Sequence, residues 1–149
     1  MKIWELMTDT VIRVSPEESV SVAARALTHY NIGILPVCGG NGRLCGLVTD
    51  RDLVTRCIAS GRNPERTAVR EVMTRDLVCA RPEMDAAEAA ALMGREQVRR
   101  LPVLENGRLC GMVSLGDLSR VENAGETLGK ISENTSQRDT RSPVEIDKK

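Results

Sequence analysis

Two short stretches of the sequence pair a hydroxyl with a carboxylate at the same spacing. In GLVTDRD, Thr49 stands three residues before Asp52, and in GMVSLGD, Ser114 stands three residues before Asp117. Each pair lies between an apolar strand pattern and a helical pattern, where a carboxylate can accept hydrogen bonds from both hydroxyls of a ribose. The same spacing is typical of a helix cap, with the carboxylate as a first-turn charge. The sequence leaves both interpretations open.

A pair of arginines precedes the second of two LPV tripeptides. Arg99 and Arg100 stand where the first copy of the pattern has Gly33 and Ile34. The planar guanidinium fork suits arginine to bidentate contacts with phosphate oxygens. The alternative is two solvated arginines at a helix end, where the helix dipole favours positive charge.

Catalytic and metal-binding sites have few candidate residues. His29 is the single histidine, and its apolar helical neighbours indicate a surface or partly packed ring, with no nucleophile and base around it. The five cysteines show no CxxC spacing, so we expect reduced thiols, with Cys45 and Cys110 as small buried side chains, and no metal site. GGNG lacks the GK[ST] ending of a phosphate-binding loop. We therefore expect a protein that is not an enzyme.

The composition argues against nucleic-acid and membrane partners. Among 149 residues, Lys+Arg and Asp+Glu are equal at 21 each, and the aromatic residues are one Trp and one Tyr. Neither a basic surface nor aromatic stacking platforms for nucleic acid follow from such a composition. The absence of an apolar leader and of an apolar run of about 18 residues predicts a soluble cytoplasmic protein.

These candidate residues belong to a sequence that repeats itself. Leu6–Leu53 aligns with Val72–Leu118 with one gap opposite Gly40, and 18 of 47 aligned pairs are identical, including the hexapeptide NGRLCG. Such a match predicts two copies of one folding unit of about 60 residues. Neither copy alone is large enough for a good core, so we expect the two to pack together.

Each copy predicts the order strand, helix, strand, strand, helix. VIRV and LVCA are short strand candidates, and Ser19 and Asp85 stand where a helix N-cap belongs. Apolar residues at helical spacing follow each cap: Val20, Ala23, Ala24, Leu27 and Tyr30, then Ala86, Ala89, Ala90 and Met93. The Asn-Gly of NGRLCG predicts a hairpin between the next two strands. The expected fold class is α/β, of the α+β type, with two pseudo-symmetric units in one module.

The predicted boundaries follow from this alignment. Residues 1–60 form the first unit, 61–71 a linker, 72–121 the second unit, and 122–149 a polar tail that we expect to be disordered. SGRNPERTAVRE, which joins the copies, is polar enough to lie at the surface.

The tandem pattern MT…P…A…LPV…G…GhhT/SxxD, with h apolar, resembles a pair of CBS domains, the adenosine-ligand-sensing Bateman module. The resemblance covers Leu6 to about Val121, and GLVTDRDL is most similar to small bacterial proteins that consist of one CBS pair. It implies that two ligand sites lie in clefts between the copies, each combining the Thr/Ser–Asp pair of one copy with the residues before LPV of the other.

Carried onto this sequence, the resemblance implies two unequal clefts. One would combine Thr49 and Asp52 with Val78, Val98, Arg99 and Arg100, and the other Ser114 and Asp117 with Ile12, Ile32, Gly33 and Ile34. Only the first receives the arginine pair, so we expect it to bind an adenine nucleotide through its phosphates. The second would bind more weakly, prefer an unphosphorylated adenosyl group, or stay empty. Arg51, beside Asp52, either adds charge or lies in solvent.

The resemblance implies a regulatory protein with no obligatory cofactor and AMP, ADP or ATP as its ligand. Binding would change the packing of the copies or the interactions with an unknown effector protein. Two pairs usually meet as a flat disc in this family, which predicts a homodimer. The alternatives are a sensor of S-adenosylmethionine or NAD, and a ligand-independent interaction module in which Arg99 and Arg100 contact a protein.

Overall fold

The computed structural model describes residues 1–120, and the predicted disordered tail lies outside them. The chain forms two compact units. The helices are α1 Ile3–Leu6, α2 Val20–Tyr30, α3 Asp50–Leu53, α4 Ala86–Glu96 and α5 Leu115–Leu118, with a π-helical segment Val54–Ile58 and a 3-10 helix Val69–Glu71. The strands are β1 Ile34–Cys38, β2 Leu44–Thr49, β3 Arg100–Glu105 and β4 Arg108–Ser114. This mixture confirms the predicted α+β class.

The two compact units group the chain differently from the predicted repeat boundaries, which stay a prediction. The first-repeat unit is Ile12–Leu77, and the second-repeat unit is Met1–Val11 together with the described residues from Val78 onward. Each unit therefore contains one copy of the helix and hairpin, plus a Met-Thr segment that precedes the other copy in sequence. The sequence alignment, which starts each copy at its own Met-Thr, had grouped these segments the other way.

Helix α2 forms where the sequence predicted it. The hydroxyl of Ser19 accepts a hydrogen bond from the backbone N–H of Val22 at 3.2 Å, and the helix ends at Asn31 in the left-handed conformation. Val20, Ala23 and Leu27 are buried, whereas Ala24 and Tyr30, which share the predicted apolar spacing, are exposed. The buried stripe is thus narrower than the pattern suggested, because only one side of this helix packs on the core.

Helix α4 is the counterpart of α2 in the second-repeat unit. It follows Asp85 as its N-cap, as predicted, and the backbone N–H of Asp85 donates to the carboxylate of Glu88 at 3.2 Å. All four predicted apolar positions are buried: Ala86, Ala89, Ala90 and Met93. These residues join Leu101, Val103 and Leu118 in one hydrophobic cluster.

Both predicted hairpins are present. β1 pairs antiparallel with β2, and β3 with β4, each with one register irregularity. In the second hairpin Asn106 and Gly107 both have positive φ, 55° and 80°, as a two-residue turn of this twist requires. In the first hairpin five residues, 39–43, join the two strands, and the N–H of Gly42 donates to the carbonyl of Gly39.

The predicted strands VIRV and LVCA are wrong in extent. Each contributes only a single parallel bridge, Val14 to Val37 and Ala80 to Val103. The N–H of Cys38 donates to the carbonyl of Val14 at 2.9 Å, and that of Leu104 to Ala80 at 2.9 Å. An extended segment becomes a strand only where a neighbouring strand supplies a row of backbone hydrogen-bond partners, and each of these stretches is bridged at one residue.

The connecting segment SGRNPERTAVRE is exposed only in part. Its first residues are exposed, but Thr67 is 3% and Val69 0% exposed, which differs from the predicted surface linker. Val69 joins the hydrophobic cluster of the first-repeat unit, and the hydroxyl of Thr67 donates to the carbonyl of Asn63 at 2.7 Å. This segment therefore contributes a buried core residue that its polar composition does not predict.

Among residues 1–120, no helix has the length and apolar character needed to span a bilayer.

An ion pair joins the N-terminal segment to helix α4. The Lys2 ammonium lies 2.9 Å from a carboxylate oxygen of Asp85, and this hydrogen bond lowers the pKa of Asp85 and raises that of Lys2. A lowered carboxyl pKa contributes stability above the ordinary value of about 3.9 and loses it as pH falls through the lowered pKa. The raised pKa of Lys2 contributes stability that is lost only in alkali, as pH rises through it.

Asp85→Asn should accordingly lower the melting temperature at pH 6 and in low salt, and the difference from the wild type should shrink at pH 3. Asparagine caps helices as well as aspartate does, so the substitution isolates the charge. Because both side chains are about half exposed, we expect a small shift that salt screens. A difference that is the same at pH 3 and pH 6 would contradict this account.

Candidate functional site

Thr49 and Asp52 form a reciprocal hydrogen-bonded pair at the start of helix α3. The Thr49 hydroxyl accepts from the backbone N–H of Asp52 at 3.1 Å, and Asp52 Oδ2 accepts from the backbone N–H of Thr49 at 3.0 Å. The helix-cap interpretation is therefore realised in the first-repeat unit. The cap uses one carboxylate oxygen of Asp52 and leaves the other for further contacts.

Two side chains from outside the predicted set surround Asp52. The hydroxyl of Thr74 donates to Oδ2 at 3.4 Å, and Arg56 Nη1 lies 3.9 Å from Oδ1. Arg56 Nη1 donates instead to the carbonyls of Val72 and Met73, at 3.0 and 3.1 Å. The Asp52 side chain is 12% exposed. Oδ1 of this carboxylate thus has an arginine nearby at ion-pair distance and no hydrogen bond from it.

Ser114 and Asp117 repeat the arrangement in the second-repeat unit. The Ser114 hydroxyl accepts from the backbone N–H of Asp117 at 3.1 Å, and Asp117 Oδ2 accepts from the backbone N–H of Ser114 at 2.8 Å. Here the other oxygen is occupied, because Arg120 Nη2 donates to Asp117 Oδ1 at 3.2 Å. The two carboxylates are equivalent in their caps and differ in the availability of Oδ1.

The residues before LPV lie beside these pairs within each unit. Ile34 is the register partner of Thr49, and the backbone N–H of Asp50 donates to the carbonyl of Gly33 at 3.2 Å. In the second-repeat unit Arg100 is the partner of Ser114, and Leu115 N–H donates to the carbonyl of Arg99 at 2.7 Å. These backbone bonds fix the open ends of the two hairpins, opposite their turns.

The remaining predicted site residues are half-buried apolar side chains. Ile12 and Ile32 pack against the hydrophobic cluster of the first-repeat unit, and Val78 and Val98 against that of the second. Such partly exposed aliphatic groups at the edge of a core offer apolar surface to a flat aromatic base.

The structure thus gathers the predicted residues in two sets, one in each unit. The first-repeat unit holds Ile12, Ile32, Gly33, Ile34, Thr49 and Asp52, and the second-repeat unit holds Val78, Val98, Arg99, Arg100, Ser114 and Asp117. The combination of residues from the two copies in one cleft stays a prediction. The arginine pair shares its unit with Ser114 and Asp117, and Arg51 is exposed on helix α3.

Sequence reasoning missed Thr74, Arg56 and Arg120. The Met-Thr dipeptide occurs at the start of both aligned copies, which was a signal that it has a structural task. An arginine four residues after Asp52 and three after Asp117 was the signal for the other two, since side chains at these spacings share one face of a helix. Only the structure shows that they act on the two carboxylates.

The histidine and cysteines lie apart from these carboxylates. His29 is exposed at the end of α2, edge-on to the ring of Tyr30 with a centroid distance of 4.6 Å. All five cysteines are free, and Cys45 and Cys110, predicted to be buried, are half-buried because their strand positions lie at the edge of the cluster. Burial raises the pKa of the Cys38, Cys79 and Cys110 thiols. Residues 1–120 contain no cluster of three or more His, Cys, Asp or Glu side chains placed to hold a metal ion.

A family model and two curated relatives each match most of this chain. The family model of the CBS domain matches residues 3–58 and 69–124. The CBS domain-containing protein YhcV of Bacillus subtilis is 38% identical over 134 residues, which cover 90% of this chain and 94% of that protein. Hypoxic response protein 1 of Mycobacterium tuberculosis is 33% identical over 116 residues, covering 78% of this chain and 81% of that protein.

A solved structure extends the likeness to three dimensions. The crystal structure of hypoxic response protein I, described with two coordinated zinc ions, superposes with a TM-score of 0.74 at 31% sequence identity. The match covers 82% of this chain and 99% of that one.

Proposed function

Because this chain belongs to the CBS-domain family and carries two such domains in tandem, we propose that it is a regulatory protein that binds an adenine nucleotide and has no catalytic activity of its own. The observation that carries the proposal is the repeated hydroxyl–carboxylate pair. In both units a strand delivers a Thr or Ser whose cap fixes an aspartate, Asp52 or Asp117, and the cap consumes only one oxygen of that aspartate.

The chemistry of the neighbouring residues supports each part of such a ligand. A carboxylate oxygen held by the backbone is a preorganised acceptor for vicinal ribose hydroxyls, because it loses little freedom on binding. Half-buried Ile12, Ile32, Val78 and Val98 supply apolar surface for the base. Arg99 and Arg100, half-buried at the start of β3, supply the positive charge that phosphates require.

The ligand class within this proposal is AMP or ATP rather than S-adenosylmethionine or NAD. The arginine pair favours a ligand with an accessible terminal phosphate. S-adenosylmethionine has no phosphate, and NAD has only an internal diphosphate. We also propose that the protein assembles as a homodimer and acts on a separate effector protein. Val54 and Ile58, four residues apart, are 56% and 54% exposed, which supports contact with another protein surface.

The test is a calorimetric titration of the purified protein with adenosine, AMP, ADP, ATP, S-adenosylmethionine and NAD. We expect Asp52→Asn to weaken the binding of every adenosyl ligand at the Asp52 site by about 10- to 100-fold, the effect of removing a charged hydrogen-bond acceptor. Arg100→Ala should weaken only the phosphorylated ligands, by about 10-fold. Asp50→Asn, in the same helical turn, and Arg108→Ala, in the same hairpin, are the matched controls.

Two results would count against the proposal. Indifference of the wild type to millimolar concentrations of all six compounds would overturn the sensor role, and a stable dimer in the same samples would then favour a ligand-independent interaction module. Equal loss of adenosine and AMP binding in Arg100→Ala would overturn the phosphate role of that arginine.

A further inference from the structure

The two aspartates differ in the position of the arginine that follows them. Arg56 comes four residues after Asp52, and its Nη1 is engaged by the carbonyls of Val72 and Met73 and by the hydroxyl of Thr74, at 3.0, 3.1 and 3.4 Å. These acceptors hold the guanidinium 3.9 Å from Asp52 Oδ1, which is beyond hydrogen-bond range. Arg56 therefore contributes positive potential at Asp52 without donating a hydrogen bond to Asp52 Oδ1.

Arg120 comes three residues after Asp117 and engages it directly. Its Nη2 donates to Asp117 Oδ1 at 3.2 Å, while its Nε donates to the backbone carbonyl of the same residue at 3.2 Å. The Nη2 contact with the carbonyl of Leu6 is longer, at 3.5 Å. Both oxygens of Asp117 thus accept hydrogen bonds from this chain itself, Oδ2 from Ser114 and Oδ1 from Arg120.

We propose that Arg120 is a specificity-determining residue that competes with a ligand hydroxyl for Asp117, and so makes the Asp117 site the weaker of two adenosyl sites. This inference rests on the proposed nucleotide-binding function. A ribose that approaches Asp117 must displace the guanidinium from Oδ1 or share that oxygen with it, whereas at Asp52 the corresponding oxygen accepts no hydrogen bond from the arginine that follows.

The exposure of the Arg120–Asp117 ion pair sets how strongly the arginine competes with a ligand. The Arg120 side chain is 63% exposed and that of Asp117 24%, so their ion pair is partly hydrated and is a competitor that a ligand can displace. Exposed and partly exposed pairs of this kind are modest in strength, which corresponds to about a three- to five-fold change in a dissociation constant. The competition weakens the Asp117 site and does not abolish it.

A reciprocal pair of variants tests the proposal with adenosine, which has the ribose but no phosphate. In an Asp52→Asn background, which removes the stronger site, Arg120→Ala should tighten adenosine binding about three- to five-fold in calorimetry. Thr55→Arg places an arginine three residues after Asp52, as Arg120 stands to Asp117, and should weaken adenosine binding in the otherwise wild-type protein by a similar factor. Arg108→Ala, which removes the same charge from an exposed position in the same unit, should leave both constants unchanged.

The outcomes separate this inference from the function on which it rests. Tighter binding in Arg120→Ala supports it, including the case in which only that variant binds measurably. Unchanged or weaker adenosine binding in Arg120→Ala, with binding by the wild type intact, overturns the inference alone. Absence of binding by the wild type and by every variant overturns both. AMP run in parallel detects an opposite role, because weaker AMP binding in Arg120→Ala would assign the arginine to the phosphate.

Discussion

Replacing Gly46 with alanine is expected to destabilise the protein by about 3 kcal/mol, the upper part of the range for overpacking a filled site. A Cβ at this position would lie 2.7 Å from the backbone oxygen of Thr74 and 2.8 Å from the Sδ of Met73. Leu47 and Thr74 exchange backbone hydrogen bonds of 2.9 and 2.8 Å at the same point, so the Met-Thr segment cannot retreat without losing them. Gly46 is required for space, because its backbone conformation suits any residue.

The same contact exists in the second-repeat unit. A Cβ on Gly111 would meet the Sδ of Met7 at 2.5 Å and the backbone oxygen of Thr8 at 2.9 Å, and Thr8 and Met112 exchange backbone hydrogen bonds of 2.8 and 2.9 Å. Gly111→Ala should therefore be destabilising as well. The methionine thioether is flexible and can move aside, but the backbone oxygen cannot, which keeps the cost high.

Chemical denaturation of the three glycine variants measures this prediction. Gly40→Ala is the control, because an added Cβ meets nothing within 4 Å there and the loss of backbone freedom in the unfolded chain is favourable. We expect its free energy of unfolding to be equal to or slightly above that of the wild type. A Gly46→Ala protein as stable as the control would show that the Met-Thr segment is not held against the hairpin in solution.

Truncation of the leucine in either LPV tripeptide should have the largest effect of any single change considered, about 3–5 kcal/mol. Leu35 and Leu101 are both 0% exposed, and each lies in the hydrophobic cluster of its own unit. Leu35→Ala and Leu101→Ala each remove three carbons and leave a cavity that rigid strand neighbours, Val48 or Val113, cannot fill. Against a total stability of about 5–15 kcal/mol for a typical domain, such a loss is a large fraction.

Equilibrium unfolding in urea gives these values, with Tyr30→Ala as the control. That substitution removes a larger side chain, but Tyr30 is 49% exposed at the end of helix α2, so its cost should stay at about 1 kcal/mol or less. If Leu35→Ala and Leu101→Ala cost no more than Tyr30→Ala, the LPV leucines would not be core residues of their units.

Local signals in the sequence predicted most of the secondary structure. Ser19 and Asp85 begin helices α2 and α4 because a polar cap followed by an apolar stripe needs no distant partner to specify a helix start. Asn106-Gly107 adopts the two positive φ angles of a tight hairpin for the same reason. The hairpins and the placement of Thr49 and Ser114 at strand ends followed from patterns a few residues long, and the repeat followed from the alignment of the chain with itself.

Predictions that depended on packing were less complete. The strands VIRV and LVCA shrank to single bridges, because a strand needs a partner row that the sequence of the strand does not reveal. Val69 is buried within a polar linker, and Tyr30 is exposed at the end of an apolar stripe. In each case burial depended on which residues pack around the side chain in the folded unit, and local composition does not contain that information.

The sequence by itself determined that the chain is a duplicated α+β unit and that each copy presents a hydroxyl–carboxylate pair. The duplication is visible when the chain is aligned with itself, and helix capping depends on residues only three positions apart. Only the tertiary structure decided which Met-Thr segment packs in which unit. The strand surface at Gly46 is nearly identical to that at Gly111, so no local pattern predicts whether Met7–Thr8 or Met73–Thr74 packs against each glycine. It also decided that Arg56 is held by backbone carbonyls while Arg120 binds Asp117, because a one-residue difference in helical spacing changes which acceptors a guanidinium reaches.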